Sequence, residues 1–256
     1  MKLQWMGHAC FKLTTQGGTR IVVDPYDASV GYGKLQTDAD VVITSHKHHD
    51  HCCPDAVKGC RKLIDEAGEY EFDDVKIETV LSFHDDAGCS KRGLNLLSRI
   101  TADGQTVVHL GDLGHVPDKE QLSFISNADV LLLPVGGFYT IDTSTALKVM
   151  KAAKPVACVP MHYKNECCGF PISTVDEFAR AANAEAQDGA KVLAIGQKAA
   201  AFEETDHFVN VVEGGGMTGY EAVTRTCRLI REAFLEKKEM RELVQVKGLG
   251  CEVCVR

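Results

Sequence analysis

Four potential metal donors, His46, His48, Asp50 and His51, fall within six residues in the spacing H-x-H-x-D-H. Imidazole mixed with carboxylate suits zinc, iron or manganese, whereas calcium and magnesium prefer all-oxygen shells. Donors this close along the chain cannot all reach one ion, so the spacing predicts a transition-metal site with two ions. The competing reading is a solvated histidine-rich turn that binds metal only adventitiously. Further donors decide between the two. His84 closes the apolar run 75–83, Asp112 follows the run 106–111, and His162 follows the run 156–161. Each run delivers one donor at its C-terminal end, as a two-metal site requires and a surface tract does not.

Such donors must be held by strands. The run Val41-Val42-Ile43-Thr44-Ser45 leads straight into the histidine cluster and reads as a buried strand, being short, β-branched and bounded by polar residues. Runs at 2–14, 19–25 and 41–45, joined by turn-rich links such as Gln16-Gly17-Gly18, predict an antiparallel start to a sheet. Further strands are expected at 75–83, 95–101, 105–111, 130–135, 156–161 and 191–196. Helices interleave in the second half. Asp142-Thr143-Ser144 can cap one that runs to about Lys151 and stops at Ala153-Lys154-Pro155, and Ser173-Thr174-Val175-Asp176 matches a capping box opening another from Glu177 to Gln187. Composition and pattern together say α/β.

At 256 residues, 45 % of them apolar and 25 % charged, the chain has the make-up of one globular core with an appendage. A formal charge of −8 repels a phosphate backbone on average, which makes nucleic acid an unfavoured partner. Met1 leads into Lys2-Leu3-Gln4-Trp5 rather than an apolar leader, and no apolar stretch approaches the roughly 20 residues that cross a bilayer. The expectation is a cytoplasmic protein with no membrane partner. Its eleven cysteines are then reduced thiols. Cys10, Cys60, Cys89, Cys158 and Cys227 are expected as small buried hydrophobes, and the pairs Cys52-Cys53 and Cys167-Cys168 as bystanders just beyond His51 and His162.

The motif H-x-H-x-D-H, followed by His84, then Gly111-Asp112, then His162, resembles the metallo-β-lactamase-fold hydrolase superfamily. Within it the chain is similar to the branch that includes L-ascorbate-6-phosphate lactonase and many metal-dependent hydrolases. Gly7-His8-Ala9-Cys10-Phe11, Val22-Val23-Asp24-Pro25, His109-Leu110-Gly111-Asp112-Leu113-Gly114 and Pro160-Met161-His162-Tyr163 carry the same likeness, over about residues 1 to 205. The resemblance implies a four-layer αββα sandwich. It implies that His46, His48 and His84 hold one metal, that Asp50, His51 and His162 hold the other, and that Asp112 bridges them. The cofactor would be two divalent transition-metal ions, zinc first, with manganese or iron as alternatives, and the nucleophile a metal-bridging hydroxide positioned and deprotonated by Asp50. Flavodiiron oxygen reductases of the same fold carry a glutamate where His48 stands, so hydrolysis is favoured over redox turnover.

Other residues are open to two readings. His8 can contact substrate or donate a proton, or be purely structural. Asp24 can orient a ligand imidazole or cap a turn. His109 is expected as buried structure, His49 as exposed or supporting, and His115 and His207 as surface residues. Lys91, Arg92, Asn95 and Lys164 could hold an anionic substrate group, with Phe138 and Tyr139 lining the pocket.

The domain division places a metallo-hydrolase domain at 1–213 and a helical extension at 217–256. The helical pattern runs from Tyr220 to Val246, with Val223, Cys227, Ile230 and Phe234 on one face. It packs on its own domain or makes a homo-oligomer contact. The tail Cys251-Glu252-Val253-Cys254 is a single C-x-x-C and stays unassigned. The expected activity is opening of a lactone or phosphodiester in a small anionic substrate. The alternatives are a nuclease or RNA-processing hydrolase of the same superfamily, which needs a basic exosite, and a non-catalytic metal or redox sensor that works through the tail.

Overall fold

The computed structural model describes residues 1–185 and the strands at 191–192, 200–205, 208–213, 244–246 and 251–253. The chain opens on an antiparallel meander of β1 (Lys2–Gly7), β2 (Cys10–Thr14) and β3 (Arg20–Val23). The order then changes. After the short β4 (Thr37–Asp38), β5 (Val41–Ile43) lies parallel to β3 with Val23 opposite Ile43. β6 (Val57–Lys58) pairs with β4, and β7 (Lys62–Ile64) extends the sheet beside β5. β8 (Gly68–Phe72), β9 (Val75–Phe83), β10 (Leu94–Ala102) and β11 (Gln105–His109) form the antiparallel half of a second sheet. Its parallel half is β12 (Val130–Pro134), β13 (Ala157–Met161) and β14 (Lys191–Val192). Helices α1 (Lys119–Ile125), α2 (Thr143–Ala153) and α3 (Asp176–Glu185) precede these three strands in turn. The hairpin β15 (Ala200–Thr205) and β16 (Phe208–Glu213) returns to the first sheet and pairs with β1. Two seven-stranded sheets result, ordered β16-β15-β1-β2-β3-β5-β7 and β14-β13-β12-β11-β10-β9-β8.

One apolar core joins the sheets. Trp5, Phe11 and Ile43 from the first belong to the same cluster as Ile77, Leu97 and Leu131 from the second. β12 and β13 read as continuous apolar runs because they are buried on both faces, one by the first sheet and the other by helices. α2 turns Ala146, Val149, Met150 and Ala153 inward. Asp142 caps it by accepting from the Thr145 N–H, and Lys154, left-handed at φ 51°, ends it, as the sequence signals indicate. No described helix is long and apolar enough to cross a membrane.

The expected four layers are realised unequally. Among the described residues all three α-helices cover the second sheet, with contacts to β10, β12 and β14. The outer face of the first sheet still needs cover, because Cys10, Val22 and Val42 point that way. Tyr26, Val30 and Leu35, from the irregular segment between β3 and β4, supply it in a second apolar cluster. The helix expected over 220–246 lies outside the described residues as far as 243. Its last residues are a correction: Val244–Val246 form strand β17, antiparallel to β18 (Cys251–Val253), which takes up the first cysteine of the C-x-x-C. Cys254, Cys227 and His207 lie outside the described residues. Cys10 and Cys158 are buried as expected, whereas Cys60 is exposed and Cys89 half-buried.

Candidate metal centre

The expected donors sit just past the C-terminal ends of β5, β9, β11 and β13, and they converge. The donor atoms of His46, His48 and His84 lie within 4.8 Å of one another and form one lobe. Those of Asp50, His51 and His162, joined by His8, form a second lobe of the same tightness. Asp112 stands between them. Its Oδ2 is 3.2 Å from His84 Nε2, 3.3 Å from His162 Nε2 and 3.8 Å from His46 Nε2, and its Oδ1 is 3.1 Å from His51 Nε2.

Inward-pointing polar atoms are left over. Nε2 of His46, His51 and His162 and Oδ1 of Asp112 are buried without a well-formed hydrogen bond. Each such atom costs about 1–3 kcal/mol if nothing satisfies it. Several on one centre, imidazole nitrogens and a carboxylate oxygen, make a cradle of the donor types that hold transition-metal cations. The residues fit transition-metal binding.

The surroundings fix which nitrogen faces the cradle. Asp24 is fully buried and accepts from His51 Nδ1 at 2.7 Å, from the Ser45 N–H at 2.7 Å and from the Ser45 hydroxyl at 2.7 Å. With its proton committed to Asp24, Ser45 Oγ accepts from His46 Nδ1 at 2.9 Å. Both imidazoles therefore carry their proton on Nδ1 and present Nε2 to the centre. Of the two readings of Asp24, orientation of an imidazole is the observed one. His109 is structural, as expected: its Nδ1 accepts from the Gly111 N–H at 3.0 Å and its Nε2–H donates to the Ala9 carbonyl at 2.8 Å.

Part of the chain's backbone strain lies here. His8, Asp24 and His162 all adopt left-handed conformations, with φ of 53°, 51° and 51°. Non-glycine residues held there cost of order 1 kcal/mol or more, and the surrounding contacts must over-determine them. Gly111, at φ +52°, cannot be replaced without a clash: a Cβ would lie 2.2 Å from Asn95 Oδ1 and 2.6 Å from Ser45 Cβ.

Burial and charge prepare the donors. Burial, helped by neighbouring His51, pushes His46 down to about 3, and burial with His162 pushes His8 down to about 4, so both are neutral at pH 7. Burial opposes ionisation of Asp112 and Asp50, but His162 and His51 around Asp112, and His8 and His51 around Asp50, hold both carboxyls well below the usual range. His51 is the exception. Burial disfavours its charge, yet Asp112 and Asp24 on either side hold it well above the ordinary imidazole value. A cation entering this lobe takes the place of that proton.

His8 joins the site: it is fully buried, with Nε2 3.3 Å from Asp50 Oδ2. His49 is exposed, its ring 6.2 Å from Phe170. His115 is half-buried rather than on the surface, and its Nε2 accepts from the Phe83 N–H. Asn95 requires a correction. It is fully buried, donates to Ser82 Oγ and the Leu110 carbonyl, and accepts from the Asp112 N–H at 2.9 Å. Both its N–H groups and one Oδ1 lone pair are engaged inside the fold, where they brace the Asp112 loop, so no N–H remains for a substrate. Arg92 and Tyr139 stand together at the rim, the guanidinium 5.6 Å from the ring centre. Lys164 is exposed, its backbone bridged to Thr174. Lys91 is taken up by Asp86 at 2.7 Å. No described cysteine joins a donor cluster.

Sequence reasoning missed Ser45 and Asp85. Asp85, buried just after His84, accepts from the N–H groups of Ala87, Lys91 and Arg92 and ties down the loop above the site. The signal for it was an aspartate opening a Gly-containing loop.

Comparison with known proteins gives the family and the fold. Residues 2–162 match the family model of the Beta-lactamase superfamily domain. A UPF0173 metal-dependent hydrolase of Pelotomaculum thermopropionicum is 29% identical over 231 residues, covering 77% of this chain and 98% of that protein. Another, from Thermoplasma acidophilum, is 28% identical and covers 64% of this chain and 83% of its own length. Among solved structures, a candidate Zn-dependent hydrolase of the metallo-β-lactamase superfamily from Thermotoga maritima superposes with a TM-score of 0.58 at 37% identity, covering 70% of this chain and 84% of that one. A metallo hydrolase from Ignicoccus hospitalis gives a TM-score of 0.59 at 25% identity, covering 80% of this chain and 99% of that one.

Proposed function

This chain belongs to the family defined by the Beta-lactamase superfamily domain, and on that premise we propose that it is a dinuclear metal-dependent hydrolase that opens a lactone or phosphodiester in a small anionic molecule. The observation that carries this reading is Asp112, whose two oxygens lie 3.1 to 3.8 Å from four imidazole nitrogens drawn from both lobes. His46, His48 and His84 would hold one ion and Asp50, His51 and His162 the other, with Asp112 shared. Metal bound there would supply Lewis acidity, making water a nucleophile near neutral pH and polarising the electrophile.

The rest falls to the chain's own groups. Asp50 is ionised, and an ionised carboxylate only accepts, so His8 Nε2–H donates to its Oδ2 and fixes its direction. Asp50 takes the proton that water loses in attack and returns it to the departing oxygen. Asp24 and Ser45 keep His51 and His46 in the Nδ1–H form throughout. Arg92, at the rim, offers an N–H fork to an acidic group on the substrate.

Elemental analysis of purified protein, together with a screen of lactones, phosphodiesters and thioesters, tests the proposal. Two transition-metal ions per chain and chelator-sensitive turnover of one of these classes are expected. Cleavage of a generic phosphodiester dye but not of oligonucleotides would separate this enzyme from a nuclease. Protein that takes up no metal and turns over none of them would contradict the reading.

A further inference from the structure

Above the second lobe the rim is built of rings. Phe170 is half-buried, and its ring centre lies 5.5 Å from His8 inside the site, 6.2 Å from His49 and 6.1 Å from Tyr139. Phe138 continues the series 4.7 Å from Tyr139, and the Arg92 guanidinium lies 5.6 Å from the Tyr139 ring while donating to the Phe138 carbonyl. Four separate loops meet here: those after β5, β9, β12 and β13.

Two features mark the collar as more than packing. Phe138 is 65% exposed, one of few large apolar side chains so exposed among the described residues, and it sits in the left-handed region at φ 58°. An exposed aromatic in a strained conformation satisfies neither burial nor backbone preference. The collar is also continuous with the chemistry, because the Phe170 ring meets His8, which hydrogen-bonds Asp50. A ring lodged against Phe170 and Tyr139 would place an attached electrophile toward Asp50.

We propose that Phe170, Tyr139 and Phe138, with Arg92 beside them, form a subsite for a planar aromatic group, so that the substrate is an aryl-bearing acid derivative. This rests on the hydrolase reading above and deepens it. Ring faces and edges supply stacking partners, and Arg92 supplies a cation for an acidic substituent next to the aryl group.

The test is binding, without turnover. Phenylphosphonate and methylphosphonate share the metal-seeking head and differ only in the ring, so calorimetric titration of each into the metal-loaded protein isolates the collar. Phenylphosphonate is expected to bind about tenfold more tightly, the scale of one good aromatic contact. In Phe170→Leu and in Tyr139→Leu, which keep apolar bulk, the preference should fall to within about twofold of unity. Equal affinities in the native protein, or a tenfold preference that survives both substitutions, would overturn the subsite while leaving the hydrolase reading intact. Failure to bind either phosphonate would likewise overturn the subsite, the hydrolase reading being decided separately by metal content and turnover.

Discussion

The two lobes of the centre are built from opposite materials. One is three imidazoles, and of these His48 is exposed to solvent. The other mixes imidazole with carboxylate and is buried throughout, with Asp24 behind His51 and His8 beside Asp50. A dication in the buried lobe meets an ionised Asp50 at low effective dielectric, where attraction is strong. A dication in the imidazole lobe has only its share of Asp112 and a side open to water. The ions should therefore differ in tenacity, the buried one being held harder.

Asp112→Ala removes what the lobes share and should have the largest effect. Metal content is expected to fall by about one ion per chain and turnover by at least ~10²-fold, beyond the losses typical of groups that merely support ligands. Full occupancy in that variant, measured by elemental analysis, would break the bridge assignment. His48→Ala strikes the exposed lobe alone. During timed chelation native protein should lose one ion early and one late, and this variant should lack the early ion only. Simultaneous loss in native protein would erase the distinction between lobes.

Asp24→Asn removes the charged acceptor behind His51 and should narrow the gap by weakening the buried ion about 10- to 100-fold, read by chelator competition. Ser45→Ala removes the acceptor of the His46 Nδ1–H and one of several donors to Asp24, and the loss should stay near the ~1 kcal/mol of one hydrogen bond, about fivefold in affinity and mainly in the imidazole lobe. An equal effect of Ser45→Ala on both ions would show that the Asp24 carboxylate, rather than each separate hydrogen bond, controls the whole centre.

The contiguous half of the candidate centre is legible from its spacing, and the scattered half, which the fold brings beside it, rests on a weaker signal. His84 and His162 each follow an apolar run, and β9 spans the same Val75–Phe83 that the run suggests. Such runs are readable because buried strands need unbroken apolar sequence. β8 was missed for the converse reason: Gly68–Phe72 is an edge strand with half-exposed and exposed residues alternating, and it has no run to read. α1 was missed because seven residues cannot establish a helical period, although Asp118 and Gln121 form a complete capping box. Asn95 was misread because polarity alone does not reveal burial. Its amide is spent on Ser82, Leu110 and Asp112, partners brought together only by the pairing of β10 with its neighbours. Among the described residues, the cover over the outer face of the first sheet was illegible for a related reason, since Tyr26, Val30 and Leu35 supply it without any periodic pattern.

The most direct test of the central claim is anomalous scattering from a crystal grown with excess zinc or manganese. The account predicts two peaks roughly 3.5–4 Å apart, one among His46, His48 and His84, the other among Asp50, His51 and His162, with a carboxylate oxygen of Asp112 reaching each. A single peak, or two peaks with His84 or His162 turned away from both, would contradict it.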